Sequence, residues 1–302
     1  MTTVAVIAHQ KKSFGGGLDE LRSLLAHEGF EPLWYEVPKS KKAPACARDA
    51  IQKGADLVFV WGGDGMVQRC IDALAGSGVT IAILPAGTAN LLATNLGVPK
   101  DLPGAVDVGL HGFHRPLDVG VINGERFAVM AGTGFDAMMI KDADRGLKDK
   151  AGRLAYVWTG AKNLNISRVQ MRVKVDGHKW FDGKASCVLI GNVGTVSGGF
   201  TAFEAAEPDD GVLEVGIVTA KGAAQWTRVL GRLAAGKLER SPLTRTTSAR
   251  TIDIKLESKL PYELDGGARA MAKRIRVSVE PHAIEVCVPD PRPDEAAAEV
   301  RT

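Results

Sequence analysis

The sequence has few residues of the kinds that bind metals or form disulfides. It contains four cysteines without a CxxC pair and six histidines without an HxxxH spacing. Zinc sites and disulfide-stapled domains require closely spaced or paired side chains. We therefore predict reduced cysteines in the core at Cys46, Cys70, Cys187 and Cys287.

Long apolar runs and a strong charge excess are also missing. No run approaches the roughly 20 residues that span a bilayer, and the first residues lack the basic-then-apolar plan of a signal peptide. The net charge of +3 is too small to indicate nucleic-acid binding. We therefore expect a cytoplasmic protein, peripheral to a membrane at most, with no nucleic-acid partner. The motif GxxxxGK[ST] is absent as well, which excludes a P-loop phosphate site.

Two glycine-rich turns are the most informative feature that the sequence does contain. Gly62–Gly65 follows the apolar run Val58–Trp61, and Pro85–Asn90 follows the apolar run Ile81–Leu84. Each run has the length of a buried parallel strand, and each turn leads into a segment with helical spacing. Both turns should therefore lie at the carboxyl ends of neighbouring strands, where open α/β sheets bind ligands.

Glycine suits a phosphate-binding turn because it has no Cβ. We expect Gly62, Gly63, Gly65 and Gly87 to adopt positive φ and to let backbone N–H groups approach a phosphate. The following helix N-terminus favours an anion, so the carboxylate of Asp64 suggests that a cation such as Mg²⁺ is also bound. The alternative is a pair of tight turns in which Asp and Asn side chains cap the helices.

The spacing of the two turns carries a family resemblance. Gly62-Gly63-Asp64-Gly65, followed about twenty residues later by Pro85–Asn90, resembles the diacylglycerol kinase catalytic-domain family, which includes sphingosine and ceramide kinases. The resemblance is strongest to the soluble bacterial members and covers roughly residues 4 to 288. It implies ATP and Mg²⁺ as cofactors and a membrane lipid as substrate, with diacylglycerol to phosphatidic acid as the first expectation. The nucleotide-binding residues that it implies are Gly62, Gly63, Asp64, Gly65, Met66, Gly87, Thr88 and Asn90.

The element pattern predicts a fold in two parts. Four β–α repeats within residues 1–116 predict a doubly wound parallel α/β domain, which the resemblance makes NAD kinase-like. Short β runs between Gly and Asx turns within 117–288 predict a mostly antiparallel β-sandwich, and 289–302 reads as a flexible tail. The resemblance implies an active site in the cleft between the domains.

We predict the following elements in the second part. The strands are Asp118–Ile122, Phe127–Ala131, Val169–Val175, Cys187–Gly191, Leu213–Val218, Thr251–Leu256, Arg274–Val279 and Ile284–Val288. The helical segments are Met138–Leu164 and Ala223–Gly236. Hairpin turns are expected at Asn123-Gly124, Asp176-Gly177 and Asp182-Gly183.

Two acidic residues of the second part acquire roles through the resemblance. From sequence alone, Asp118 is an ordinary turn former, and an Asp-Gly hairpin explains Asp265 equally well. The resemblance implies that Asp265 is the general base and that Asp118 lies beside the catalytic centre. Together with Asp64, these residues form the implied catalytic set. Gly267 stands where the family has Glu.

A loop in the second part is a candidate metal site. The resemblance implies that Glu207, Asp210 and Val212 hold a structural Mg²⁺, partly through backbone carbonyls. Oxygen ligands from a loop suit such a hard cation. Tight β-corners are the competing interpretation of the glycines in this region.

Basic and amphipathic segments could contact an anionic bilayer. They are Lys141–Arg153 and Trp226–Lys237, although such faces usually pack or meet water. The segment Gly132–Ala137 fits the dinucleotide fingerprint G-x-G-x-x-A, but it lacks a clear parallel strand and a ribose-binding acid. A dinucleotide oxidoreductase is therefore disfavoured.

Other functions stay open on the sequence alone. NAD kinases share the first glycine turn and a β-rich second domain. A catalytically impaired lipid- or nucleotide-binding protein is suggested by Met66, Gly267 and Ala8-His9, which replace the family's Thr, Glu and Asn-Pro. The basic loop His9–Gly17 would contact nucleotide phosphates or simply be solvated. The acceptor lipid and the oligomeric state are undetermined, with a homodimer among the possibilities.

Overall fold

The chain divides into two compact units. The computed structural model describes residues 2–134, 168–196 and 200–290. The first unit comprises Met1–Leu117 and Ala283–Thr302, and the second comprises Asp118–His282. The structure differs here from the expected domain end at 288, because Val286 pairs with Ile81 in the sheet of the first unit. The predicted helix Met138–Leu164, the basic segment Lys141–Arg153 and the tail beyond residue 290 lie outside the described residues.

The first unit is built on a parallel sheet. Its strands are β1 (Val4–His9), β2 (Leu33–Val37), β3 (Leu57–Gly62) and β4 (Thr80–Pro85). They lie in the order β2-β1-β3-β4, and residues 283–288 add a further parallel strand beside β4. Every residue of β3 and β4 is buried, as expected for a sheet covered on both faces. The chain reverses its direction of progress across the sheet between β1 and β3, so the ends of these strands form a topological switch point.

Helices connect the strands of the first unit. They are α1 (Leu18–His27), α2 (Ala43–Gln52), α3 (Asp64–Leu74), α4 (Leu91–Asn95) and α5 (Leu102–His111). Contacts link α1 to α5 and α2 to α3, and right-handed crossovers place the two pairs on opposite faces of the sheet. The predicted doubly wound fold is confirmed.

Helix α5 was missed by sequence reasoning because its start is rich in proline. Pro103 lies in the first turn, where a helix needs no N–H donor. Asp101 caps the helix by accepting a hydrogen bond from the Gly104 N–H at 2.8 Å. The segment Asp101–Gly104, whose composition is typical of a turn, is therefore the capped start of a helix.

The second unit is mostly antiparallel, as predicted. Its strands are β5 (Phe113–Ile122), β6 (Glu125–Phe127), β7 (Met130–Gly134), β8 (Val169–Val175), β9 (His178–Ala185), β10 (Cys187–Gly191), β11 (Thr195–Val196), β12 (Phe200–Thr201), β13 (Leu213–Val218), β14 (Thr244–Ala249), β15 (Thr251–Leu264) and β16 (Gly267–Val288). The first residues of β5 and the last of β16 belong to the first unit. The described ladders run β14-β13-β10-β7-β15-β16, with β8 beside β15 and β9 beside β8.

Turn chemistry explains which predicted hairpins form. Asn123-Gly124 and Asp176-Gly177 have positive φ at both residues, 51° with 89° and 47° with 81°, as a two-residue type I′ turn requires. The predicted turn at Asp182-Gly183 is wrong, because both residues lie within β9. Asp182 there forms an ion pair with Arg172 on β8 at 3.0 Å.

Two other strand predictions differ from the structure. The predicted strands Arg274–Val279 and Ile284–Val288 belong to one long strand, β16. The predicted strand Phe127–Ala131 is interrupted between β6 and β7. The dinucleotide interpretation of Gly132–Ala137 also fails, because Gly132 lies within β7, which pairs antiparallel with β10 and β15.

The amphipathic helix of the second unit packs its apolar side into the core. This helix, α6 (Gly222–Ala234), buries Trp226 and Val229, each 3% exposed, in a cluster with Phe203 and Leu238. Its apolar side is therefore taken up by packing, and only its basic side meets solvent. Within the described ranges, no helix combines the length and apolar character needed to cross a membrane.

Candidate functional site

The two glycine turns touch each other through their backbones. A Cβ added at Gly87 would lie 2.4 Å from the Cα of Gly63, far closer than packed atoms approach. The Ala86 N–H donates to the Gly62 carbonyl at 3.0 Å, which joins the turns again. The turns follow β3 and β4, which are paired neighbours, so the expected placement at adjacent strand ends is confirmed.

Asn90 shapes the second turn with its side chain. Its Oδ1 accepts from the Gly87 N–H at 2.8 Å, and its Nδ2 donates to the carbonyls of Pro85 and Gly87 at 2.9 and 3.0 Å. Its backbone is left-handed, with φ of 49° and ψ of 51°, a conformation that Asn tolerates better than most residues. Asn90 therefore holds the turn in a fixed shape.

Asp64 links the first turn to the second. Its Oδ1 accepts hydrogen bonds from the N–H groups of Leu91 and Leu92 at 2.5 and 3.4 Å, at the start of α4. Burial raises the pKa of Asp64, and the Leu92 and Leu91 N–H groups work against that shift. The carboxylate thus caps a helix, as the structural alternative anticipated, while it lies in the first turn of α3.

Gly62, Gly63 and Gly87 are required by close contacts and not by backbone angle. The expectation of positive φ at these turns is wrong, because none of the four glycines Gly62, Gly63, Gly65 and Gly87 has a positive φ. A Cβ at Gly62 would lie 2.5 Å from the Cβ of Met66, whose side chain is 2% exposed and points into the core. The side chain of Met66 therefore faces away from any ligand on the surface of the turns.

The outer surface of the paired turns is open. Gly65 and Thr88 are exposed, and a Cβ at Gly65 would meet no atom within 4 Å. The first N–H groups of α3 have no partner within the helix, which makes this end of the helix attractive to an anion. The arrangement therefore suits a phosphate group placed over Gly65.

The basic loop after β1 lies beside the first turn, because β1 pairs with β3. The indole Nε1 of Trp61 donates to the Lys12 carbonyl at 3.1 Å, and the rings of Trp61 and Phe14 meet edge to face at 5.9 Å. Burial, with the charges of Lys12 and Lys11, lowers the pKa of His9. The loop therefore brings positive charge to the switch point of the sheet.

Asp265 is held by three backbone donors in the second unit. Its Oδ2 accepts from the Ala128 N–H at 2.8 Å, and its Oδ1 accepts from the N–H groups of Val129 and Met130 at 2.9 Å each. Asp265 and Gly266 form a type I′ turn between β15 and β16, with φ of 43° and 77°. The hairpin interpretation is therefore confirmed, and it places a carboxylate against the backbone that leads from β6 into β7.

Asp118 fixes a loop of the second unit from a fully buried position. Its Oδ2 accepts from the Gly211 N–H at 2.6 Å, and its Oδ1 accepts from the His282 N–H at 2.7 Å. Its own N–H donates to the Pro208 carbonyl at 2.7 Å. The loop that contains the predicted metal ligands is thus tied to the start of the second unit.

The predicted metal ligands lie along this loop. Glu207 and Asp210 are exposed, and the Asp210 Oδ1 accepts from the Val212 N–H at 3.0 Å. Burial raises the pKa of nearby Glu214, and the charges of Asp210 and Glu239 raise it further. Across the described ranges, no group of three or more His, Cys, Asp or Glu side chains is placed to hold a metal ion. A metal ion bound at this loop would therefore need backbone carbonyl groups among its ligands. The negative charge and the oxygen atoms of this loop are the features that a hard cation such as Mg²⁺ prefers.

Sequence reasoning missed a residue that joins Asp118 to the segment that holds Asp265. Asn192 is 1% exposed, and its Nδ2 donates to the carbonyls of Asp118 at 2.7 Å and Ala128 at 3.0 Å. Its sequence context, Gly191–Gly194, indicates only a tight β-corner. The partners of Asn192 and Asp265 are backbone groups, for which a sequence carries no signal.

Arg269 was missed as well. It forms an ion pair with Glu125, and its Nη1 would lie 2.6 Å from a Cβ at Gly267. The position that carries Glu in the resembling family is therefore covered in this chain by the guanidinium of Arg269.

Comparison with known proteins places this fold in a class of kinases. The model described as "YegS C-terminal NAD kinase beta sandwich-like domain" matches residues 129–288, and "Diacylglycerol kinase catalytic domain" matches residues 4–122. The two matches cover both units, so the fold is that of a kinase with an NAD kinase-like β-sandwich. The chain belongs to the diacylglycerol kinase catalytic-domain family.

Individual relatives cover nearly the whole chain. A diacylglycerol kinase of Bacillus subtilis is 28% identical over 88% of this chain and 89% of its own length. A Pseudomonas aeruginosa protein named "Probable lipid kinase YegS-like" is 30% identical, over 95% of this chain and 94% of its own. The solved structure of a diacylglycerol kinase from Bacillus anthracis aligns with a TM-score of 0.72 at 20% identity, over 95% of this chain and 97% of that one. At 20% identity, the alignment with the solved structure supports the fold alone.

Proposed function

We propose that the protein is an ATP- and Mg²⁺-dependent lipid kinase that phosphorylates a hydroxyl group of a membrane lipid, with diacylglycerol as the first candidate acceptor. The observation that carries the proposal is the backbone contact between the two glycine turns at the ends of β3 and β4. In a member of this kinase family, that contact forms a rigid surface with an exposed glycine at a helix N-terminus. Such a surface suits the phosphates of ATP.

The chemistry is the transfer of the γ-phosphoryl group to the lipid hydroxyl. The hydroxyl oxygen bonds to the γ-phosphorus, the bond to the β,γ-bridging oxygen breaks, and ADP leaves. In this proposal the residues at the turns, Gly62–Met66, Gly87, Thr88 and Asn90, hold the nucleotide. Positioning and charge stabilisation dominate reactions of this type, so the rigidity of the turns matters more than any one side chain. Met66 would contribute only through its backbone and its packing.

Asp265 is the proposed general base. Three N–H donors fix the orientation of its carboxylate, which would accept the proton of the lipid hydroxyl. Asp118 would act indirectly, by holding the loop that contains Glu207, Asp210 and Val212. Asp64 would orient the cation or phosphate while its Oδ1 remains bound at the start of α4.

Magnesium has two proposed places in this scheme. Glu207, Asp210 and the backbone at Val212 would hold one ion, which would neutralise the negative charge around Glu214. A second would accompany ATP near Asp64 and supply charge neutralisation for the transferred group.

An ADP-release assay tests the proposed acceptor class. We expect turnover with ATP, Mg²⁺ and diacylglycerol in neutral detergent micelles, and only background release with NAD or with no acceptor. Chelation of divalent cations should remove the lipid-dependent signal. ADP release with NAD that does not depend on lipid would replace the lipid kinase by an NAD kinase, and binding of lipid without turnover would indicate a protein that has lost catalysis.

A further inference from the structure

One sheet of the second unit has a buried face and an exposed face. Strands β9, β8, β15 and β16 are neighbours in antiparallel register. Alternate residues such as Val173, Ile254 and Ile275 belong to the core. The residues between them meet solvent, and in antiparallel pairs directly opposite side chains share a face.

The exposed face carries like charges in directly opposite positions. Its cations are Arg172, Lys174, Lys179, Lys184, Lys255, Arg274 and Arg276, and its acids in the paired positions are Asp182 and Asp253. We call this surface the basic sheet face. Lys255 lies opposite Arg172 on one side and Arg274 on the other, and Lys174 lies opposite Lys179. Like charges in these positions destabilise a sheet, so folding alone does not account for the arrangement.

The two acids leave part of the positive charge uncompensated. Asp182 forms an ion pair with Arg172 at 3.0 Å, and Asp253 forms one with Arg274. Over the part of the chain that the structure describes, Lys174, Lys255 and Arg276 take part in no ion pair.

A groove of about 640 Å³ opens at one end of the basic sheet face. It is lined by Lys174 and Arg276, by Asp253, which lies directly opposite both of them in the ladders, and by the polar side chains of Asn123, Thr251 and Ser278. Two type I′ hairpins, at Asn123-Gly124 and Asp176-Gly177, contribute to its walls. The carboxylate of Asp253 disfavours an anion inside the groove, so the exposed cations around it, and not the groove itself, make up the candidate docking surface.

We propose that the basic sheet face docks the protein on an anionic phospholipid bilayer. The inference rests on the proposed function, since an enzyme with a lipid acceptor must reach a membrane surface. Charge complementarity selects this partner, because a flat array of cations matches a surface of lipid phosphates. A second copy of the chain fits poorly, because two such faces would repel each other.

Sedimentation with vesicles in the absence of ATP tests the docking surface directly. Wild-type protein should bind vesicles that contain phosphatidylglycerol, lose binding as salt is raised, and ignore pure phosphatidylcholine vesicles. The double variant Lys174→Gln with Lys255→Gln should bind about 25-fold more weakly, from about 1 kcal/mol for each cation near the surface. The matched control, Lys221→Gln with Arg228→Gln, removes two exposed cations at α6 and should bind like wild type.

Two further readouts separate docking from folding and from catalysis. The double variant should keep a thermal unfolding midpoint close to that of wild type, because Lys255→Gln removes the repulsion from Arg172 and Arg274 while Lys174→Gln removes an attraction to Asp253. It should also keep the wild-type ADP release with diacylglycerol in neutral detergent micelles. Retained turnover with lost vesicle binding supports the proposal, whereas absent turnover in the wild type would count against the proposed function alone.

Three results would overturn the docking proposal. They are equal binding of wild type to anionic and neutral vesicles, loss of binding in the α6 control instead of the sheet variant, and retention on DNA at the same salt without vesicle binding. The second result would move the membrane surface to α6. A concentration-dependent dimer that the sheet variant abolishes would assign the face to a second copy of the chain.

Discussion

At the scale of single residues, Asp64 has an observed helix-capping contact and a proposed catalytic role, which a matched pair of variants separates. Asp64→Asn keeps an oxygen that can accept from Leu91 and Leu92 but removes the negative charge. Asp64→Ala removes both and should cost about 1 kcal/mol of stability for the lost helix cap. We expect Asp64→Asn to fold like wild type and to lose turnover by about tenfold or more, as measured by thermal unfolding and ADP release. Wild-type turnover in Asp64→Asn would reduce Asp64 to a helix cap.

The pH dependence of stability reports the burial of the same carboxylate. Its pKa in the folded protein is raised above 3.8, so the folded state binds a proton more readily than the unfolded chain. The free energy of unfolding contributed by this group therefore falls as pH rises from 3.8 through the raised pKa. The Asp64→Asn variant has no carboxylate at this position and therefore does not lose this free energy as pH rises. The difference in the free energy of unfolding, variant minus wild type, should therefore be larger at neutral pH than in acid. Denaturant unfolding at several pH values would show the opposite trend if Asp64 were stabilised by a buried cation.

Asp265 offers a second test at the residue scale. Asn tolerates the left-handed backbone at this position, but its amide nitrogen would face one or two of the N–H groups of Ala128, Val129 and Met130. We expect Asp265→Asn to lose about 1–3 kcal/mol of stability for the unpaired donors. Turnover, measured at a temperature where the variant is folded, should fall by about 100-fold or more.

The control for Asp265 disturbs the same turn without removing the carboxylate. Gly266 has a φ of 77°, so Gly266→Ala strains the hairpin by roughly 1–2 kcal/mol. This variant should retain most of its turnover while it is folded. Wild-type rates in Asp265→Asn would remove Asp265 from the chemistry and leave it as the residue that anchors β6 and β7 to the hairpin.

At the scale of elements, the contact between the two glycine turns is the feature on which the proposed phosphate binding depends. Gly87→Ala would place a Cβ 2.4 Å from both the Gly63 Cα and the Asn90 Oδ1, so the turns must separate. We expect a loss of about 1–3 kcal/mol in stability and loss of the thermal stabilisation by ATP. Differential scanning fluorimetry with and without ATP measures both.

Gly65→Ala is the matched control for the turns. Its Cβ meets no protein atom within 4 Å, so the fold should be unchanged. Any loss of ATP stabilisation in Gly65→Ala would come from the ligand itself. An unaltered midpoint in Gly87→Ala would contradict the close approach of the two turns.

The local elements follow from the sequence where periodicity and turn chemistry agree. Strands β8, β10 and β13 have the predicted bounds, because each is a short apolar or alternating run between turn residues. The misses have physical causes. Pro103 reads as a break although it lies in the first turn of α5, and Asp182-Gly183 reads as a turn although an ion pair keeps Asp182 within β9.

The candidate site was less predictable than the fold. The sequence predicts the two turns because their glycines follow strand-like apolar runs. It does not predict why glycine is needed there, because a contact between turns that are distant in sequence leaves no local signal. Asn192 and the donors to Asp265 were missed for the same reason, because their partners are backbone groups far away in sequence. The inward orientation of Met66 also depends on packing, which a motif does not encode.

At the scale of the whole molecule, each unit contributes a distinct part of the proposed reaction. The first unit provides the switch point, the paired turns and the basic loop beside them. The second provides Asp265, the loop held by Asp118, and the basic sheet face. The matches to both domain models account for this division, and the basic sheet face extends it to a specific surface for the membrane.

The most direct test of the account is the identity of the phosphorylated product. Purified protein would be incubated with γ-labelled ATP, Mg²⁺ and a mixed-lipid extract, and the labelled lipids would then be extracted and separated. The account predicts a labelled lipid in the organic phase, phosphatidic acid first, that disappears with Asp265→Asn. A different labelled lipid would keep the reaction and change the acceptor. Label that stays in the aqueous phase, from protein shown to be folded, would contradict lipid phosphorylation.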